Sequence, residues 1–395
     1  AGDMVVATGV VALGAGNGMT LNLDIADGDA LNVQIGDTDA AQTGLTTPAG
    51  IAQHTDGTIN AGDTVNALTG DIDVDMNNTA ASTWIQSGDA QMVANASHVN
   101  SEVDIDNPED IQILGQGITA GGNITMTAST DETDEGIKIQ STAAPAGTGT
   151  VLIRSVSGTI VLDSNGDGNN TGGRFLLGDN TTAALQDARI VSETQTVDII
   201  GGGDGASVGI AISGITSDAS GIEVEAELAL TFDTGSGMTL GTTDAADDNS
   251  GDVRSISAGV TIIADVAAGD VLQRHGAISA ADAGTVDIDV TGSFIQSPTA
   301  GGGALAELLE DGIRGGVVDI LVDTNIDIGG DTDDAIEAVQ ITKADAVILH
   351  STAGNVIHSG DGDIEASGAD ADINIDADAV TSAITFTGAG EILTS

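Results

Sequence analysis

The segment Asp163-Ser164-Asn165-Gly166-Asp167-Gly168 sets oxygen-bearing side chains at alternate positions, with a glycine where the chain must turn sharply. That is the first half of a calcium loop, because a hard divalent cation is wrapped by oxygen ligands that alternate residues can aim at one point. The helix-flanked version of such a loop ends on a glutamate at its twelfth position, where this chain has Arg174. Asp163, Asn165 and Asp167 are therefore candidate calcium ligands that need further carboxylates from a neighbouring segment or subunit. The plain alternative is a polar turn that holds no ion.

Further carboxylates cluster at Asp131, Asp134 and Glu135, at Asp244, Asp247 and Asp248, and at Asp331, Asp333 and Asp334. Two closer pairs are Asp361 with Asp363 and Asp370 with Asp372. On stacked strands, equivalent positions sit about 5 Å apart, which is costly for like charges unless a cation is shared. Oxygen-only sites of this kind suit hard divalent ions. Taken one at a time, each cluster also reads as ordinary solvated acidic surface.

Other chemistry is sparse. The histidines His54, His98, His275, His350 and His358 show no HExxH spacing. His350 and His358, on either side of Gly354, could hold zinc if neighbouring loops met. No GxSxG elbow supports a nucleophile. The eight basic residues are scattered singly and there is one tryptophan, so a polysaccharide-cleaving groove with basic machinery and aromatic sugar platforms is not expected. Gly201-Gly202-Gly203-Asp204-Gly205 leads into another alternating run where a phosphate-binding loop would need a helix N-terminus, so it reads as a turn. Sequons at Asn77, Asn95, Asn123, Asn169 and Asn180 are no more than abundant Ser and Thr would produce. The expectation is a protein without catalytic residues.

The elements that must carry these groups follow from composition. Apolar residues make up 40% of 395 residues, yet there is no tyrosine and there are four phenylalanines. Aromatics normally dominate a broad core; stacked Val, Ile, Leu and Ala suit a narrow one. The 56 glycines against four prolines suggest many tight turns. A formal charge of −53 repels nucleic acid and anionic membranes, and it strains a compact state unless salt or divalent cations screen it. With no cysteine, stability must come from packing alone. No apolar run reaches the length of a membrane-spanning helix. The chain opens at Ala1 with neither initiator methionine nor an apolar leader, as a secreted product does after processing. An extracellular or cell-surface location is therefore expected.

Short runs alternate apolar and polar residues along the whole chain, among them Leu21–Ile25, Leu31–Ile35, Ile72–Met76, Ile137–Gln140, Val286–Val290, Ile326–Ile328 and Ile373–Asp376. Period two marks strands with one buried face. A longer run, Ile222 to Phe232, reads as a single strand with Glu223, Glu225 and Glu227 outward. Spacings between runs drift, which suits an all-β, parallel β-solenoid with irregular coils; tandem β-sandwich domains are the alternative. About 20–25 residues per coil would give roughly 16–20 coils and a rod of about 80–95 Å. Solenoid is expected over residues 1–300 and again over 317–395. A short helical insert is expected at 301–316, where Leu305, Leu308, Leu309 and Ile313 fall at helical spacing between Ala304 and Arg314. Asp334 to Val339 is a weaker helical candidate.

The segments Gly122–Ala128, Gly158–Ser164, Ala283–Ser297, Gly354–Ile357 and Gly362–Gly368 resemble the coils of filamentous-haemagglutinin and autotransporter-passenger β-helices. The resemblance lies in the cadence of the repeats and covers much of the chain. It implies a right-handed parallel β-helix exposed at a cell surface. A secretion cap and an aromatic-girdled membrane barrel, which that family carries, have no counterpart here, so no export route is implied.

The expected role is a structural subunit of a filament, sheath or surface layer. Solenoid ends expose strand edges, and a head-to-tail contact repeats without closing. Both termini read as strand, at Met4 to Ala7 and at Ile384 to Phe386 with Ile392-Leu393. The expected partners are copies of the chain, with calcium or high salt aiding assembly, and a cell-surface anchor or glycan as a further contact. The alternative is an adhesin-like stalk presenting a tip to a receptor or glycan.

Overall fold

The computed structural model describes residues 4–6, 11–12, 19–22, 32–35, 50–53, 58–61, 71–75, 83–87, 90–94, 96–106, 108–128, 135–140, 151–165, 173–178, 188–202, 208–212, 222–241, 250–264, 269–274, 276–296, 312–329, 334–339, 346–358, 363–367, 372–387 and 391–394. They form a parallel β-solenoid built from three long sheets. Sheet I has 12 strands and runs from Met19–Asn22 to Ile373–Ala377. Sheet II has 14, from Met4–Val6 to Ile384–Phe386, and sheet III has 13, from Val11–Ala12 to Ile392–Thr394. From Ile72 onward the chain visits sheets I, II and III in strict rotation. Neighbouring strands pair in parallel throughout, which rules out the antiparallel sandwiches of the alternative reading.

The alternating runs produce this directly. In the sheet I strands Val103–Asp106 and Ile160–Asp163, every second residue is buried and its neighbours are not. Register then stacks like on like: Ile72, Val103, Ile124, Ile160 and Val197 form one inward column. The aromatics are spread through the stack. Trp84, Phe175 and Phe294 lie in one column of sheet II, separated by smaller residues such as Ile111, Ile137 and Met238. All three are 0% exposed, as is Phe232 on sheet I. Where sheet III turns toward sheet I the column is made of small residues, Ala94, Ala120, Ser155, Ser192, Ala226 and Ser255. Its serines serve the turn: Ser155 Oγ donates to the Gly122 and Gly158 carbonyls at 2.7 and 2.8 Å, and Ser192 Oγ donates to the Gly158 carbonyl at 2.9 Å.

Four expectations need correction. Coils are longer than supposed, from 21 residues (Val103 to Ile124) to 37 (Ile160 to Val197), and average about 30 between Ile72 and Ile373. Fourteen rungs at about 4.8 Å then give a rod of about 65 Å. The run from Ile222 to Phe232 is two strands, Ile222–Ala226 in sheet III and Leu230–Thr234 in sheet I, because the alternation continues through the corner at 227–229. Asp334–Val339 is a strand, in register with Ile313–Gly315 and Asp363–Ser367. Of the expected insert, residues 301–311 lie outside the described residues. Ile313 and Arg314, which it would have included, belong to a strand because Ile313 fills the column position under Ile278. No helix occurs among the described residues.

Candidate functional site

The three outer faces differ in charge, and the difference is set by the outward residue at each rung. The strands of sheet I carry eleven aspartates and no lysine or arginine. Sheet III carries Arg154, Arg189, Arg254 and Arg314. There Arg154 meets Glu193 at 2.5 Å, Arg189 meets Glu223 at 2.7 Å and Arg314 meets Asp282 at 3.6 Å, so acidic charge is neutralised locally.

Sheet I has no such relief. Asp104 sits in register with Asp73 on the preceding coil, beside Asp106 and near Glu102. Burial, then repulsion from Asp106, Asp73 and Glu102, raises its carboxyl to about 6 from the ordinary 3.8. Its Oδ1 is buried and accepts no hydrogen bond. Farther along, Asp287 and Asp319 are in register on adjacent coils. Burial and then Asp289 push Asp287 up, while burial and then Asp287 push Asp319 up against the opposing pull of His350.

A folded-state value above the ordinary one means that the folded chain keeps a proton the unfolded chain releases. Stability from Asp104 is therefore fully present below pH 3.8, falls as pH rises through about 6, and is absent above it. Asp104→Asn should raise stability at pH 7 by about 1 kcal/mol, once the shift is discounted for the solvent that reaches this half-buried group. The gain should vanish at pH 4. Denaturant midpoints at both values, followed by the fluorescence of the single tryptophan, read this; a gain of equal size at both pH values would refute it.

The candidate calcium ligands come out as follows. Asp163 ends a sheet I strand, and its Oδ1 accepts the Asn165 backbone N–H at 2.8 Å, closing the turn on itself. Asn165 is 6% exposed, and Ser164 Oγ donates to the Gly173 and Ile200 carbonyls, both at 2.9 Å. Asp167 lies outside the described residues. So do Asp131, Asp134, Asp244, Asp247, Asp248, Asp331, Asp333, Asp361 and Asp370. Asp363 is described, and its Oδ1 accepts the Glu391 N–H at 2.6 Å.

His350 and His358 are not brought together as a pair. His350 faces outward from sheet I, whereas His358 points into the core of sheet II at 2% exposure, with Phe386 tilted against it. What the register does bring to His350 is Asp376, its partner one coil on, and Asp378 just beyond. His350 Nε2 lies 3.1 Å from Asp378 Oδ2, and one ligand atom from each of the three residues lies within 4.8 Å of the others. Sequence spacing hid this group, because 26 and 28 positions separate the aspartates from the histidine. The sheet I aspartate ladder had a visible signal in the Ile-Asp-Val-Asp and Val-Asp-Ile-Asp runs; only its register was missing.

The last coil is the other distinctive surface. Ile384, Phe386 and Ile392 are 45%, 50% and 41% exposed. Their register partners one coil earlier, Val356, His358 and Ile364, are at 1–2%. These are core columns with a neighbour on one side only. Comparison of the chain with protein-family models, curated proteins and solved structures gives no match in any of the three.

Proposed function

We propose that this chain is a structural subunit that stacks head to tail into an extracellular filament, sheath or layer, with divalent cations or high salt offsetting its charge. The observation that carries the reading is the all-parallel stack of three ladders, which a second copy can continue without a change of strand direction. The contact proposed is between the coil of Ile384, Phe386 and Ile392 and the first coil of a second copy. Met4–Val6, Val11–Ala12 and Met19–Asn22 are the outermost strands of sheets II, III and I at the opposite end. Parallel stacking keeps its direction across such a junction, so each copy would extend the same three ladders. The aspartates of sheet I would form a continuous stripe along the fibre, which explains the expected need for calcium or salt.

Negative-stain electron microscopy of the 395-residue chain, with calcium and then with chelator, tests this. The expected result is fibres with an axial repeat of about 65 Å, one rod length, and their loss in Phe386→Asp. Fibres that disperse on chelation support bridging by calcium. Fibres that survive chelation keep the filament and remove the cation from it. Isolated rods under every condition, including high salt, would overturn self-assembly and favour the adhesin-like stalk.

A further inference from the structure

We propose that His350, Asp376 and Asp378 form a binding site for a borderline transition-metal ion of the zinc class, which staples the last coil to the one before it. The site stands whether or not the rods assemble.

The argument begins with the donor set. An imidazole nitrogen with two carboxylate oxygens suits Zn²⁺ and its neighbours, whereas calcium and magnesium prefer oxygen alone. The geometry is close to what such an ion needs. Ligand atoms about 2.0–2.2 Å from one metal lie about 3–4 Å from each other. The 3.1 Å between His350 Nε2 and Asp378 Oδ2 already matches one edge of that polyhedron. The whole group lies within 4.8 Å, so a small rotation of an exposed aspartate closes the rest. The ion would take the place of the contact between His350 Nε2 and Asp378 Oδ2.

The elements also hold the three donors in place. His350 is fixed on a fully paired strand, Val347–Ser351, with Val317–Val322 on one side and Ile373–Ala377 on the other. Asp376 lies on that last strand, its Oδ1 accepting the Ala377 N–H at 2.8 Å, so its other oxygen would serve as the ligand. Asp378 is set by its own N–H, which donates to the Ser351 carbonyl at 3.0 Å. His350 is the single nitrogen donor among the side chains of sheet I's described strands, apart from the amides of Asn22 and Asn374. That distinguishes this rung from the rest of the aspartate ladder.

The place of the site matters as much as its chemistry. Inner coils are held from both sides, but Ile373–Ala377 has a partner strand on one side only, and its apolar residues are only partly buried. A metal bridging His350 to Asp376 and Asp378 adds a second restraint at the rung where packing adds least.

Titration of the chelator-treated full chain with ZnCl₂, followed by calorimetry, tests the site, with Co²⁺ absorption as an independent reading of the ligand sphere. One ion per chain is expected, with affinity reduced about tenfold or more in His350→Gln and again in Asp378→Asn. His98→Gln should bind like the parent, and calcium in excess should not compete. Circular dichroism confirms that each variant is folded. Absence of zinc binding overturns the proposal. So does binding unchanged by His350→Gln, which would assign the ion to other acidic groups and leave His350 and Asp378 with a hydrogen bond only.

Discussion

Phe232→Ala should cost about 3–5 kcal/mol and split unfolding into two transitions. Phe232 is fully buried in the middle of the stack, between Ile199 and Ile262 in its column. Truncation leaves a cavity that the fixed strand spacing cannot close, since each rung is held at its height by two ladders. Stability in such a stack is close to a sum over coils and their nearest neighbours. The loss should therefore fall on the coils around Phe232 and spare those near Trp84, several rungs away. Trp84 is 0% exposed and is the only tryptophan, so its fluorescence reports the coil that contains it. Urea titrations of the variant should show circular dichroism collapsing at lower denaturant than fluorescence. If both signals shift together, the stack behaves as one cooperative unit and the nearest-neighbour account fails.

Gly117→Ala should cost about 3 kcal/mol, far more than a methyl group normally does on a strand. Gly117 has φ 98°, a region closed to L side chains. A Cβ there would also strike the carbonyl oxygen of Leu152, its register partner, and lie 2.7–2.8 Å from that residue's backbone C and N. The obstacle is backbone, which cannot rotate away. The same substitution would disturb the Gly117 N–H, which donates to buried Gln86 Oε1 at 2.9 Å. Thr119→Ala, two residues along on the outward face, is the control and should change stability little. Thermal melts of the two variants decide it, and near-equal midpoints would mean that the turn relaxes around the new methyl.

Much of the architecture could be read from period two alone. Runs such as Ile72–Asp75 and Val286–Val290 are strands because only one of their faces can be buried, and that holds whatever the fold. Periodicity says nothing about corners, so Ile222 to Phe232 looked continuous while the chain turned between two sheets. It also misleads where both periods fit. Asp334–Val339 sets Ile336 and Val339 at helical spacing and Ala335 and Glu337 at strand spacing, and the neighbouring rungs decide in favour of the strand. Coil length was out of reach because the connections carry no pattern. The candidate sites fared according to range. Asp163 and Asn165 were legible as a local turn, whereas His350 with Asp376 and Asp378 needs the register of two coils, which no single stretch of sequence contains.

On sheet I between Ile72 and Ile373, coil length varies between 21 and 37 residues while the strand register holds. The rungs thus take no account of how much chain travels between them. Most of the variation leaves through the corner from sheet II to sheet III, where connections range from the two residues after Leu114 to the sixteen after Gln296. That edge should therefore accept grafted peptides, at a loop-closure cost of only about 0.6 kcal/mol for each doubling of length, and present them in single file down one side of the rod.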